Sequence, residues 1–241
     1  METVKQVIKK IKPNCQIGNK GKDRVVSEEE SYNNWLEWTN KEIEEAKRKK
    51  MKQYFDISTF DPEIKQYTLN KFDSNEKNKN AFDETKNLIL SYEERKLKNL
   101  GLMLIGNSGN GKTHLAKSLY NFLLEKGEMV VFYEWSDITS KIQNCYSGDS
   151  SLKEKIYKTL ITVDWLIIDD LAVGKWSEDK EDIFLNIINP RINNKKLIII
   201  TLNDDSFLKL SDRVRSRLKQ ICIKAENRDI DRRGDKRLGL I

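Results

Sequence analysis

The chain has 241 residues, room for one ample domain and a smaller piece. A formal net charge of +6 and a pI of about 9.0 favour an anionic partner such as nucleic acid, although a lysine-rich surface alone gives the same sum. Apolar runs are only strand-sized, no apolar signal region opens the chain, and Cys15, Cys145 and Cys222 are scattered without zinc spacing. These features argue against a membrane span, a secreted protein and a disulfide framework, and for a cytoplasmic protein with reduced thiols.

Residues 1–12 put Val4, Val7, Ile8 and Ile11 on one face and Lys5, Lys9, Lys10 and Lys12 elsewhere, a basic amphipathic helix that Pro13 ends. Ser27-Glu28-Glu29-Glu30 reads as a capping box opening a second helix, along which lie Tyr32, Trp35, Leu36, Trp38 and Ile43 before the basic run Lys47-Arg48-Lys49-Lys50. So few apolar residues do not build a large independent core. Two readings stay open: an arm that docks on another protein, or helices that pack back on the main domain. Residues 55–61 read as a connector, which sets a boundary near 54 and divides the chain into 1–54 and 55–241. Asp61-Pro62 resembles a helix start, and helices are predicted over 62–72 and about 80–97.

Leu102-Met103-Leu104-Ile105 reads as a buried parallel strand. It runs into Gly106-Asn107-Ser108-Gly109-Asn110-Gly111-Lys112-Thr113, the pattern G-x-x-x-x-G-K-T of a phosphate loop. A helical pattern follows, with Leu115, Ala116, Leu119 and Leu123 on one face. The glycines let backbone N–H groups turn inward at phosphate oxygens, and the helix N-terminus adds its positive dipole. Lys112 reaches the β- and γ-phosphates, and the Thr113 hydroxyl can ligate Mg²⁺. A dinucleotide fingerprint fits poorly, because it wants G-x-G-x-x-G and no lysine.

Met129-Val130-Val131-Phe132-Tyr133 reads as a second strand, followed by a helix from Ser136 and, after a turn at Tyr146-Ser147-Gly148, another carrying Leu152, Ile156 and Leu160. Val163-Asp164-Trp165-Leu166-Ile167-Ile168-Asp169-Asp170 is an apolar strand ending in two acids, the Walker B pattern. Asp169 stands where a strand-end carboxylate holds the Mg²⁺ shell, and Asp170 is the candidate general base on an attacking water. A helix from Ser177 stops at Pro190, and Leu197-Ile198-Ile199-Ile200-Thr201-Leu202 is a fourth buried strand ending at Asn203. Asn203 either reaches the γ-phosphate and the lytic water or caps the turn that follows.

Between residues 213 and 237 the chain is strongly basic, and residues 220–224 read as a short last strand. The arginines before that strand could reach a neighbouring subunit's nucleotide, hold phosphates of a nucleic acid, or form a solvated basic face. Tyr133, Trp135 and Tyr146 either stack on bases or belong to the core. Alternating helices and strands predict an α/β fold with a parallel sheet and a ligand at the carboxyl ends of its strands.

The motifs GNSGNGKTH, LIIDDL, IIITLND and DRVRSRL, in that order, resemble the AAA+ ATPases of the helicase-loader group, the DnaC/DnaI type of bacteria and their phages, over roughly residues 55–230. The resemblance implies a P-loop NTPase core with a five-stranded parallel sheet flanked by helices, behind a small helical N-terminal domain and without a full C-terminal lid. It assigns ATP binding to Gly106, Asn107, Ser108, Gly109, Asn110, Gly111, Lys112 and Thr113 with His114 beside them, and Mg²⁺ to Thr113 and Asp169. Asp170 becomes the catalytic acid, Asn203 sensor 1, Arg217 the arginine finger that acts across a self-association interface, and Arg228 the sensor 2 arginine. It implies further that residues 1–54 grip the hexameric replicative DNA helicase and that the core contacts single-stranded DNA. Asp170 stands where most AAA+ proteins have Glu, which implies slow hydrolysis stimulated by DNA or partner; Ala172 stands where many relatives have Gly. A transposition helper ATPase of the IstB type, or a nucleotide-gated scaffold without meaningful turnover, would carry the same core.

Overall fold

The computed structural model describes residues 28–55, 63–145 and 150–232. The helix expected over 1–12, the Ser27 cap, nearly all of the connector, Pro62, Tyr146 with its turn, and the basic residues beyond 232 lie outside the described residues. The chain divides into two units, Met1–Lys50 and Met51–Ile241.

Helix α1 (Glu28–Phe55) is the second predicted helix, 28 residues long. Trp35 and Leu36 are half-buried along it, while Tyr32 and Trp38 are exposed at 47% and 42%. The rings of Tyr32 and Trp35 stack at 6.1 Å, and the Thr39 hydroxyl donates to the Trp35 carbonyl at 2.7 Å.

The second unit is built on five parallel strands, β1 (Gly101–Gly106), β2 (Val130–Glu134), β3 (Trp165–Asp169), β4 (Leu197–Leu202) and β5 (Cys222–Asn227), in the order β2-β3-β4-β1-β5. The first four read as continuous apolar runs because both faces are covered. Successive residues serve opposite faces. Met103, Ile105, Leu166, Ile168, Ile198 and Ile200 pack toward α5 (Trp135–Asn144), α6 (Ser150–Thr162), α7 (Glu178–Asn193) and α9 (Asp212–Ile221). Leu102, Leu104, Trp165, Ile167, Leu197 and Ile199 pack toward α2 (Lys79–Leu90), α3 (Tyr92–Lys98) and α4 (Lys112–Glu125). The short α8 (Asp204–Lys209) follows β4. In register, Ile105 pairs Leu202, Gly106 pairs Asn227 and Glu134 pairs Asp169, so the carboxyl ends of all five strands finish at one edge. At the outer side of β5, the Glu226 N–H donates to Asn80 Oδ1 at 2.7 Å and the Arg228 N–H to the Lys77 carbonyl at 2.9 Å.

Four local expectations are corrected. The helix over 62–72 is replaced by two 3-10 turns, Ile64–Gln66 and Leu69–Lys71, with Tyr67, Thr68 and Phe72 extended. Side chains of α4 take the carbonyls that a helix would have used: Asn121 Nδ2 donates to Ile64 O at 2.8 Å and Tyr67 O at 2.7 Å, and His114 Nε2 lies 2.9 Å from Thr68 O. The single helix over 80–97 is broken at Ser91 (φ −105, ψ 28), whose hydroxyl bonds back to the Asn87 carbonyl at 2.6 Å.

Pro190 does not stop α7, which runs on to Asn193. The proline costs a hydrogen bond and crowds the preceding turn, but the neighbouring Arg191 anchors this end of the helix to the rest of the fold. That guanidinium, fully buried, donates to the carbonyls of Leu160 (2.7 Å), Val163 (3.0 Å), Asp164 (3.3 Å) and Leu197. It thereby satisfies orphan carbonyls at the end of α6 and fastens α7 to β4. The last strand starts later than predicted, because Ile221 closes α9 and β5 runs from Cys222 to Asn227.

Candidate nucleotide site

The loop from Asn107 to Gly111 joins the end of β1 to the start of α4, at the centre of the sheet edge. Gly106, Gly109 and Gly111 have φ of 156°, 73° and 96°. The last two lie in the left-handed region that disfavours side chains, and a Cβ on Gly111 would come 2.8 Å from the Phe72 ring.

Lys112 is 4% exposed, and its ammonium donates to Gly106 O (3.0 Å), Asn107 O (2.6 Å), Asn110 Oδ1 (3.2 Å) and Asn203 Oδ1 (3.1 Å). Three protons facing four oxygens make a cage that holds the cation at the loop mouth, where an anionic oxygen can replace any one of them. Asn203 occupies the N-cap position of α8, yet its side chain makes no capping bond. It accepts from Lys112 instead, so the cap reading is not the one its side chain follows.

The acidic pair is ordered by Thr201 of β4. The Thr201 hydroxyl donates to Asp169 Oδ1 and accepts from the Asp170 N–H at 2.9 Å, while the Thr113 hydroxyl donates to the same Asp169 oxygen at 3.2 Å. A polar residue inside an otherwise apolar strand was the available signal. Burial pushes the Asp169 carboxyl up to about 6, aided by the charges of Asp170 and Glu134 and opposed by the two hydroxyls. Beyond β3 the chain turns sharply, with Asp170 at φ 53° and Ala172 at φ 59°. The left-handed backbone at residue 172 explains why glycine suits that position, and Ala172 carries about 1 kcal/mol of strain there.

A cavity of about 700 Å³ opens over this edge, within the range of small-ligand sites. Ser108, Gly109, Gly111, Lys112, Thr113, Asp170 and Asn203 line one side; Tyr67, Phe72, Asn75, His114, Ile230 and Arg232 line another. The Tyr67 and Phe72 rings meet His114 edge-on at 5.2 and 5.5 Å. The site residues expected in the loop are thus brought together, although Gly106, Asn107, Asn110 and Asp169 do not line the cavity itself. Asn110 is fully buried and faces β5, and Asp169 lies behind Thr113 instead of lining the cavity. Hard oxygens from Thr113 and Asp169 suit Mg²⁺, and an inward-turned glycine loop with one caged ammonium suits a phosphate chain.

The expected arginines fall differently. Arg228 does not line the cavity and is paired with Glu226 at 2.8 Å and Asp204 at 3.4 Å; the arginine lining the cavity is Arg232. Arg217 and Arg213 are exposed one turn apart on α9, along the flank of the face that buries Val214, Leu218 and Ile221. Arg215 instead pairs with Asp212 at 2.7 Å. Tyr133 and Trp135 are 1% and 2% exposed and belong to the core, so the reading of these two as base-stacking surfaces is withdrawn. Among the described residues, no helix is long and apolar enough to cross a membrane, and no cluster of His, Cys, Asp and Glu could hold a metal without a ligand's help.

Sheet order, phosphate loop and strand-end acids define an AAA+ P-loop ATP-binding protein. Residues 15–211 match the IstB-like ATP binding protein family, and the chain belongs to that family. Over 91 residues it is 31% identical to the replicative helicase loader DnaC of Escherichia coli (strain K12), a stretch covering 38% of this chain and 37% of that protein. The chain thus spans little more than a third of the length of this curated relative, and the resemblance to the DnaC type read from the motifs holds over that stretch. Two solved structures share the fold. The DnaC helicase loader matches with a TM-score of 0.60 and 22% identity, over 68% of this chain and 98% of that one. AMPPCP-bound DnaA from Aquifex aeolicus matches with a TM-score of 0.58 and 22% identity, over 74% of this chain and 56% of that one.

Proposed function

We propose that this chain is an ATP-hydrolysing loader that binds the hexameric replicative DNA helicase through its N-terminal region and delivers it to single-stranded DNA. The observation that carries the reading is the DnaC alignment, joined to a site in which Lys112, Thr113, Asp169, Asp170 and Asn203 converge on one sheet edge. The exposed Tyr32 and Trp38 of α1 support a docking role for the N-terminal region.

In this reading the phosphate chain lies in the glycine loop, and Lys112 exchanges carbonyl acceptors for phosphate oxygens. Thr113 and Asp169 hold Mg²⁺, which when bound neutralises charge on the phosphates. Asp170 accepts a proton from the attacking water, and Asn203, already bonded to Lys112, orients that water against the terminal phosphate. Arg217 acts on the nucleotide of an adjoining copy, consistent with its exposure on α9 away from its own cavity.

Co-purification of the full chain with its cognate replicative helicase, with and without ATP, tests the proposal. ATP-dependent retention is expected, and no retention in either condition would overturn it. The family match favours one other reading, a transposition helper ATPase acting on duplex DNA. Retention of a transposase in place of the helicase would decide for that.

A further inference from the structure

The chain after β5 does not leave the site; it folds back over the phosphate loop. The Arg232 N–H donates to the Gly109 carbonyl at 3.1 Å, and a Cβ on Gly109 would fall 1.8 Å from an Asp231 carboxylate oxygen. Arg232 is therefore fixed beside the loop by its own backbone, and its guanidinium lies over the Phe72 ring at 5.8 Å. That guanidinium is held by two carboxylates that line the same cavity, Asp229, with a 2.8 Å bond from Nε, and Asp73, at 3.0 Å.

The two carboxylates are not equivalent. The Asp229 side chain is 5% exposed, and it also accepts from Asn75 Nδ2 (3.0 Å), Asn78 Nδ2 (3.1 Å) and the Ile230 N–H (2.9 Å). It stays satisfied if the guanidinium swings away. The Asp73 side chain is 83% exposed and sits at the mouth of the cavity. Water replaces its partner readily, so its hold on Arg232 is weak and exchangeable. A polyphosphate in the glycine loop would offer the same fork several charged oxygens within a drier site, where a bidentate arginine bond is stronger.

We propose that Asp73 is a built-in competitor for Arg232, and that the pair sets how steeply affinity rises with the number of phosphates on the nucleotide. The inference rests on the ATP-binding reading of the cavity. In the resting arrangement Asp73 occupies one arm of the fork; a phosphate chain displaces it, and each added phosphate gains more from the exchange. Displacement also frees the 73–78 segment from Arg232, while Asp229 keeps its asparagine donors.

Equilibrium binding of ATP, ADP and AMP to the wild type, Asp73→Asn, Arg232→Ala and the double variant tests this. Asp73→Asn is expected to tighten ATP by about three- to tenfold, ADP by less and AMP not at all; tenfold corresponds to about 1.4 kcal/mol. Arg232→Ala is expected to weaken ATP about tenfold and AMP negligibly. In the Arg232→Ala background the gain from Asp73→Asn should fall below about twofold, because the carboxylate then competes with nothing. An equal gain in both backgrounds would reduce Asp73 to simple repulsion and overturn the proposal, as would no gain at all. Failure of the wild type to bind ATP would instead sink the ATP-binding reading itself, a distinct result for which Lys112→Ala supplies the blank.

Discussion

Asn110 and Asn227 each donate to the other's backbone carbonyl, at 2.8 and 2.9 Å, and both are fully buried. This reciprocal clamp ties the phosphate loop to the last residue of β5. It leaves Asn110 Oδ1 as one of the four oxygens around Lys112. Replacing Asn227 by Ala removes one donor and strands the Asn110 carbonyl in the interior. A loss of about 1–3 kcal/mol in stability is expected from thermal or urea unfolding. ATP affinity should fall as well, because the loop loses its anchor.

Asp169 gives a pH dependence with a definite sign. Its carboxyl titrates near 6 in the fold against 3.8 ordinarily, so the folded chain takes up this proton more readily than the unfolded one. The associated stabilisation is complete below about pH 3.8 and is lost as pH rises through 6. Asp169→Asn, which never carries the buried charge, should therefore melt higher than the wild type at pH 8, by up to about 3 kcal/mol. The difference should shrink as the pH is lowered through 6. Mg²⁺-dependent nucleotide binding should move oppositely, weakening in the wild type below pH 6 and being poor in the variant at every pH.

Arg217→Ala should leave nucleotide affinity within about twofold, since the side chain lies outside its own cavity. Turnover by the assembled protein should drop by a factor on the order of 10³, the scale of arginine fingers. Mixing Arg217→Ala with Lys112→Ala should restore part of the activity if the arginine serves a neighbour. A rate that stays at the level of the separate variants would exclude action across an interface.

Arg191→Leu tests a purely structural role. Four main-chain carbonyls lose their donor in a fully buried site, and a destabilisation of about 3–5 kcal/mol is expected from chemical denaturation. Protein that remains folded at low temperature should bind ATP as the wild type does.

What could be read from the chain followed from what carries its own local signal. The glycine loop, the acid pair after Ile168 and the four apolar strands are dictated by backbone need and continuous burial, and all appear where expected. Asn203 could be placed at the end of its strand, but not its bond to Lys112, which depends on the distance between two strand ends. The 62–72 segment misled because its helical pattern is overridden by Asn121 and His114, residues far along the chain. Arg232 was one cation among many in a basic tail; its backbone bond to Gly109 and its place in the cavity lining single it out from Arg228. Thr201 was visible in the strand, but its two-way bond to Asp169 and Asp170 required β3 and β4 to lie side by side.

The outer side of β5 has a bearing on behaviour at high concentration. An unpaired strand margin is a template on which a second molecule can add its own strand and begin a fibre. Here two of the outward N–H groups are already taken by Asn80 and Lys77, and Lys224 and Glu226 place charge along the same margin. Concentrated solutions should therefore resist growth of cross-β aggregates from this side of the sheet.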